Sequence, residues 1–159
     1  MLIFQRVLLI ATFAMWFGGF GFYASVVVPI GTDILGAAIE QGAITQRVTV
    51  WINILSGVTL IAMAIESATR WKQTKPTTRW IMLGINLGIA GCLTALIYLH
   101  PILDGMFDSS ELLIRDSKQF YRFHQAYLWT STLQWLLGWA WLAVLISSWT
   151  WQATTSSSD

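Results

Sequence analysis

The feature that most constrains this chain is a set of four long apolar stretches, none of which contains a charged residue. The first covers residues 7–30, and the others cover residues 48–65, 80–99 and 127–151. An α-helix rises about 1.5 Å per residue, so such stretches can cross the roughly 30 Å hydrocarbon core of a bilayer. The pattern predicts an all-α integral membrane protein, a four-helix bundle that forms a single transmembrane domain over residues 1–159.

Composition supports lipid rather than water as the surrounding medium. The chain is 55% hydrophobic and 11% charged, whereas soluble domains carry about 25% charged residues. A net charge of +1 provides no basic field for nucleic acid. Cys92 is the single cysteine, so an internal disulfide is excluded.

Basic residues lie unequally on the two sides of the predicted spans. Five of the nine Lys and Arg residues fall on the side of the termini, and four of those five lie in the short connection 66–79. Lys and Arg in short loops mark the cytoplasmic side. We therefore expect a multi-pass protein of a bacterial-type inner (plasma) membrane, with both termini cytoplasmic. Tryptophans of an interfacial belt fall on this side as well, namely Trp71, Trp80, Trp149 and Trp151.

The two connections on the opposite side are long enough to carry structure of their own. Residues 31–47 have apolar positions at helical spacing, with Asp33 available as an N-cap. The second connection contains DSSE at residues 108–111, which resembles a capping box. Both patterns predict short interfacial helices over the outer face of the bundle.

Small and polar residues inside the spans predict how the helices meet. Gly18, Gly84 and Gly88 belong to small-residue spacings that allow close helix contact. We expect these faces to pack helices together or to support self-association or other membrane subunits. Four polar side chains lie nearest the hydrocarbon and each needs a partner inside the bundle: Asn53, Ser56, Asn86 and Gln134.

The two histidines of the chain fall on the outer side, at the ends of two different spans. His100 ends the third stretch and His124 precedes the fourth, while Asp104 follows His100 by four residues. Imidazoles bind copper, zinc and haem iron, and a carboxylate can orient a ligating imidazole. The pattern predicts a metal site at His100, His124 and Asp104. The alternative is helix-end chemistry, in which His100 satisfies terminal carbonyls and Pro101 stops the helix.

A short segment of the first span resembles a known family. The stretch MWFGGFGFYASVVVP, with Trp16, Gly18, Gly19 and Pro29, is similar to the first helix of CopD-like copper-resistance membrane proteins. It also resembles small four-helix membrane families of unknown function. The resemblance covers this span and, loosely, the four-span layout. It implies the fold and the membrane compartment, and copper as a ligand.

Three hypotheses about function follow from these patterns. The first is a non-enzymatic membrane protein that binds a metal ion, copper for example, or haem at the outer His and Asp residues. The second is a structural or accessory subunit of a larger membrane complex, without its own cofactor. The third is an enzyme or transporter of lipidic substrates, based on the amphipathic outer stretches. We expect no enzyme, because no nucleophile–base pair or Gly-rich phosphate loop is recognisable.

Overall fold

Four long helical rods build the protein. The computed structural model of the chain describes residues 2–36, 38–108, 113–114 and 116–155. The rods comprise α1 (Leu2–Phe22), continued by a π-helical turn (Tyr23–Val27) and α2 (Val28–Leu35), then α3 (Ala38–Thr69), α4 (Pro76–Met106) and α5 (Ser117–Thr155). Each rod is long and apolar enough to cross a membrane. The prediction of an all-α bundle is confirmed, and the four apolar helices support the prediction of a multi-pass membrane protein.

The connections divide the bundle into two ends. At the terminal end lie the start of α1, the end of α5 and the link between α3 and α4, which contains a short 3₁₀ turn (Trp71–Gln73). At the hairpin end, α4 leads into β1 (Phe107–Asp108), which pairs antiparallel with β2 (Leu113–Ile114) before α5. The first rod ends at Gly36, whose φ of 76° is left-handed and suits glycine.

The helices extend further into the predicted outer connections than expected. Asp33 lies inside α2 rather than at an N-cap, and His100 and Pro101 lie inside α4, which ends only at Met106. The predicted stop at Pro101 is wrong, because a proline removes one helical hydrogen bond and a long membrane helix tolerates that loss.

The two predicted interfacial helices are not separate elements among the described residues. Residues 31–35 end the first rod, and residues 38–47 begin α3. In the second connection, Ser109–Glu111 of the predicted capping box lie outside the described residues, and Asp108 belongs to β1. The lipid-substrate hypothesis, which rests on these outer stretches, therefore stays a prediction.

The π-helical turn marks a local adjustment in the first rod. Pro29 follows it and has no amide hydrogen, so its bond to the carbonyl of Ser25 cannot form. A π-turn accommodates such a break at the cost of one wider turn. Tyr23 at the start of this turn is buried, and its hydroxyl donates to Thr45 Oγ1 on α3 at 2.9 Å. The π-helical turn therefore lies at the level where the first rod is hydrogen-bonded to α3.

Aromatic rings fill the space between the first and last rods. Phe17 stacks on Trp135 with ring centroids 5.0 Å apart and meets Trp139 edge-on at 4.9 Å. Trp141 is fully buried and stacks on Phe13 at 6.1 Å. Trp135 and Trp139 lie four residues apart on one face of α5, so both rings reach Phe17.

Polar side chains in the spans are bonded between helices, as predicted. Asn53 Nδ2 donates to Tyr127 Oη at 3.1 Å, and Gln134 Nε2 donates to Ser56 Oγ at 3.0 Å. Asn86 Nδ2 donates to Ser67 Oγ at 3.1 Å, which joins α4 to α3. Polar groups in a lipid environment need such partners, since no water is available in the hydrocarbon region.

The glycines divide into contacting and outward-facing positions. Gly88 lies against Leu137, and Gly21 lies against Trp135. A methyl group added at Gly18, Gly19, Gly84 or Gly91 would meet no atom within 4 Å. Gly88 and Gly21 therefore contact another helix within the chain and these four do not, so association through their faces stays a prediction. Spacing alone does not tell which side of a helix faces inward.

Replacing Gly138 by alanine is expected to destabilise the bundle by about 1–2 kcal/mol. An added methyl carbon would lie 3.2 Å from Phe17 Cδ2 and 3.3 Å from Trp16 Cη2, so both rings must move. Thermal unfolding in detergent measures the effect. Gly84→Ala is the matched control; its methyl group meets nothing, so we expect a protein as stable as the original or up to about 1 kcal/mol more stable. Equal loss in both variants would contradict the packing described.

Candidate functional site

His100 and Asp104 form the first half of the site predicted at the hairpin end. They lie one helical turn apart near the end of α4, with His100 Nε2 3.5 Å from Asp104 Oδ2. Both side chains are partly accessible, at 18% and 37% exposure respectively. The carboxylate can hold the imidazole in one orientation and leave Nδ1 for another partner.

His124 lies on α5, which packs against α4. Its ring stacks on Phe120 with centroids 5.7 Å apart and planes 8° apart. Three residues further along α5, the Tyr127 ring approaches His100, with centroids 6.4 Å apart. The Tyr127 hydroxyl accepts the hydrogen bond from Asn53. At the hairpin end, His100 therefore lies beside both Asp104 and Tyr127, while the ring of His124 stacks on Phe120.

The structure limits what this cluster can hold by itself. In the part of the chain that is described, no group of three or more His, Cys, Asp or Glu side chains could hold a metal ion. His100, Asp104 and His124 are therefore not arranged as a set of three ligands. Binding of copper, zinc or haem iron at these residues stays a prediction, with His100 and Asp104 as the pair already in contact.

A second cluster, at the terminal end, consists of charged residues inside the bundle. Glu66 lies near the end of α3 and is 1% exposed, and Arg70 is 4% exposed. Arg70 Nη1 donates to Glu66 Oε1 at 3.4 Å. Glu66 Oε2 is buried without a hydrogen-bond partner among the described residues. A buried ion pair costs desolvation of both groups, so it is sensitive to removal of either partner.

Two further guanidinium groups lie near this pair. Arg6 lies over the Trp149 ring at 5.3 Å from its centroid, and Arg70 lies over the same ring at 5.9 Å. Arg79 lies over Trp71 at 5.6 Å. Burial lowers the pKa of Arg70 below its ordinary value; Glu66 opposes this shift, and the nearby positive charge of Arg6 adds to it. Arginine nevertheless stays protonated in proteins.

Sequence reasoning missed this second cluster. Glu66 and Arg70 were assigned to the connection after the second span, where charges are normally solvated, but α3 continues to Thr69 and buries Glu66. The available signal was their spacing of four residues, which places an acid and a base on one helix face.

Comparison of the chain with protein-family models, with curated proteins and with solved structures finds no match. The resemblance of the Trp16–Pro29 segment to CopD-like proteins therefore stays a prediction. What the protein does is inferred from the outward faces and the two ends of its bundle.

Proposed function

We propose that this chain is a subunit of a larger assembly in a bacterial-type inner membrane, joined to its partner through outward small-residue faces. The observation that carries the proposal is the open space at Gly18, Gly84 and Gly91, where an added methyl group would meet nothing within the chain. Small residues let a neighbouring helix approach closely, which drives association in lipid. The basic connection 66–79 supports a cytoplasmic position of both termini.

The face on α4 has the regularity that a partner helix requires. Gly84, Leu87, Gly91 and Thr94 are exposed and recur at intervals of three and four residues along one side of the helix. Gly88 lies off this line and contacts Leu137 within the chain. A second outward line on the first rod contains Ala11, Ala14, Gly18 and Ser25. A partner, including a second copy of this chain, can pack a helix against either line.

The mass of the protein in a native membrane extract tests this proposal. We expect native mass spectrometry to show an assembly larger than the 17.9 kDa of one chain. The variant Gly84→Leu/Gly91→Leu is expected to shift it to the monomer, because two bulky side chains block close approach. Ala140→Leu is the matched control, since Ala140 is exposed on α5. A monomer in the original protein, or equal dissociation in both variants, would disprove the role of this face.

A second candidate function, metal or haem binding, is supported by one contact at the hairpin end. His100 Nε2 and Asp104 Oδ2 are 3.5 Å apart, the arrangement in which a carboxylate orients a ligating imidazole. We propose that His100 supplies one ligand from α4, that His124 supplies another from α5, and that small molecules or a partner complete the coordination. Such a site would bind copper, zinc or haem iron.

We expect one copper ion, zinc ion or haem per chain in protein purified without chelator. Elemental analysis measures the metal, and the Soret band measures haem. His100→Ala and His124→Ala are each expected to lower the metal or haem content about tenfold or more. A loss of this order follows when a group that orients a metal ligand is removed. Gln125→Ala, on the exposed surface beside His124, is the control. Absence of metal and haem, or content unchanged by either histidine replacement, would rule out this site.

A further inference from the structure

At the terminal end, the link between α3 and α4 forms a cleft against the last turns of α5. We call it the basic cleft; it is lined by Glu66, Arg70, Trp71, Thr74, Arg79 and Ser148. Met82 and Leu145 add apolar surface to its lining. The cleft therefore combines cationic side chains with an apolar interior at the point where helices of the bundle begin and end.

The charges around the cleft do not balance. Glu66 is neutralised by its bond with Arg70. Arg79 contributes a further positive charge, held in place because its Nε donates to the Thr74 carbonyl at 2.9 Å and its guanidinium lies over Trp71. Arg6 contributes another beside Trp149, where it repels Arg70. An anion at the rim of the cleft would bond with the Arg79 guanidinium, whereas Arg70 is buried and bonded to Glu66.

The rim of the cleft is suited to the headgroup level of a bilayer. Trp71 meets Trp80 edge-on, with ring centroids 5.8 Å apart, and Trp80 is exposed. Tryptophan prefers the membrane–water interface, because its ring is apolar and its N–H is polar. Lys72 and Lys75 extend the positive charge on the exposed surface of the same link. A phospholipid at this level would present its anionic headgroup to the cleft and keep its acyl chains in the bilayer.

We propose that the rim of the basic cleft binds the phosphate of an anionic phospholipid, with Arg79 and Lys72 contacting the phosphate and Trp71 and Trp80 contacting the start of the acyl chains. Basic pockets between membrane helices bind anionic headgroups in this way. Arginine fits phosphate because its planar group can form two parallel hydrogen bonds. Free inorganic phosphate offers the same anionic chemistry but has no acyl chains for the tryptophan rim.

Native mass spectrometry of the full chain in mild detergent tests the proposal by titration with phosphatidylglycerol, phosphatidylcholine or inorganic phosphate. We expect phosphatidylglycerol to bind more tightly than phosphatidylcholine. Arg79→Gln is expected to weaken phosphatidylglycerol binding about fivefold, and Arg79→Lys to restore most of it. Arg122→Gln removes an exposed positive charge at the opposite end of the bundle and is expected to leave binding unchanged.

Three results would overturn the proposal. These are equal binding of the two lipids, equal weakening in Arg79→Gln and Arg122→Gln, and displacement of the lipid by an equal concentration of inorganic phosphate. Thermal unfolding of each variant checks that it is folded. If Arg79→Gln is not folded, Lys72→Gln provides the second test and is expected to weaken phosphatidylglycerol binding about fivefold.

Discussion

Replacing Arg70 by methionine is expected to destabilise the protein by about 3 kcal/mol or more. Glu66 is 1% exposed, and Arg70 Nη1 is 3.4 Å from Glu66 Oε1. Removal of the guanidinium leaves a buried carboxylate without its ion-pair partner, and an isolated charge in a low-dielectric interior is strongly disfavoured. Thermal or denaturant unfolding in detergent, followed by tryptophan fluorescence, measures the loss.

A double variant separates the lost charge pair from lost packing. Glu66→Gln/Arg70→Met removes both charges, and we expect it to be more stable than Arg70→Met alone, because no unpaired carboxylate remains. Arg122→Met removes an exposed arginine, and we expect a change within about 0.5 kcal/mol. If the double variant is as unstable as the single one, the ion pair is not the cause.

Replacing Trp141 by alanine is expected to cost about 3 kcal/mol. Trp141 is 0% exposed and stacks on Phe13 across the interface of the first and last rods. The loss lies at the lower end of the range for soluble cores, since lipid already replaces water around the unfolded span. The remaining loss of stability comes from the cavity and from the lost contacts of a large ring. The same unfolding measurement applies.

The matched control for this prediction is Trp129→Ala. Trp129 also lies on α5 but is 75% exposed, so its removal leaves no cavity within the chain. We expect its effect to be within about 0.5 kcal/mol. A comparable loss in both variants would show that tryptophan stabilises α5 irrespective of burial, and the packing explanation would fail.

The four spans could be predicted because charge is excluded from the hydrocarbon region, so an uncharged stretch is itself the signal. The interhelical bonds of Asn53 and Gln134 could be expected for a related reason, since a polar group in lipid needs a partner. Both inferences follow from the properties of the lipid environment alone. They need no knowledge of which helix lies beside which.

The predictions that were wrong concern the ends of helices. Pro101 was assigned the end of a helix, because proline breaks helices in soluble proteins. In α4 the helix continues to Met106, so the residues on both sides of the proline stay in register. Glu66 was assigned to a loop for a similar reason, since a charge usually marks the solvent, yet here its partner is Arg70. The ends of membrane helices depend on partners that local sequence does not specify.

The hydrogen bonds of α3 have a consequence for motion. Side chains on this helix bond to each of the other three rods, through Thr59 with the Thr12 carbonyl on α1, Ser67 with Asn86 on α4, and Ser56 with Gln134 on α5. These bonds lie at different heights along α3. A slide of any rod by one turn, about 5.4 Å, would separate its donor from its acceptor. The bundle should therefore resist piston and shear movements, so that any change of shape would have to come from tilting of whole rods.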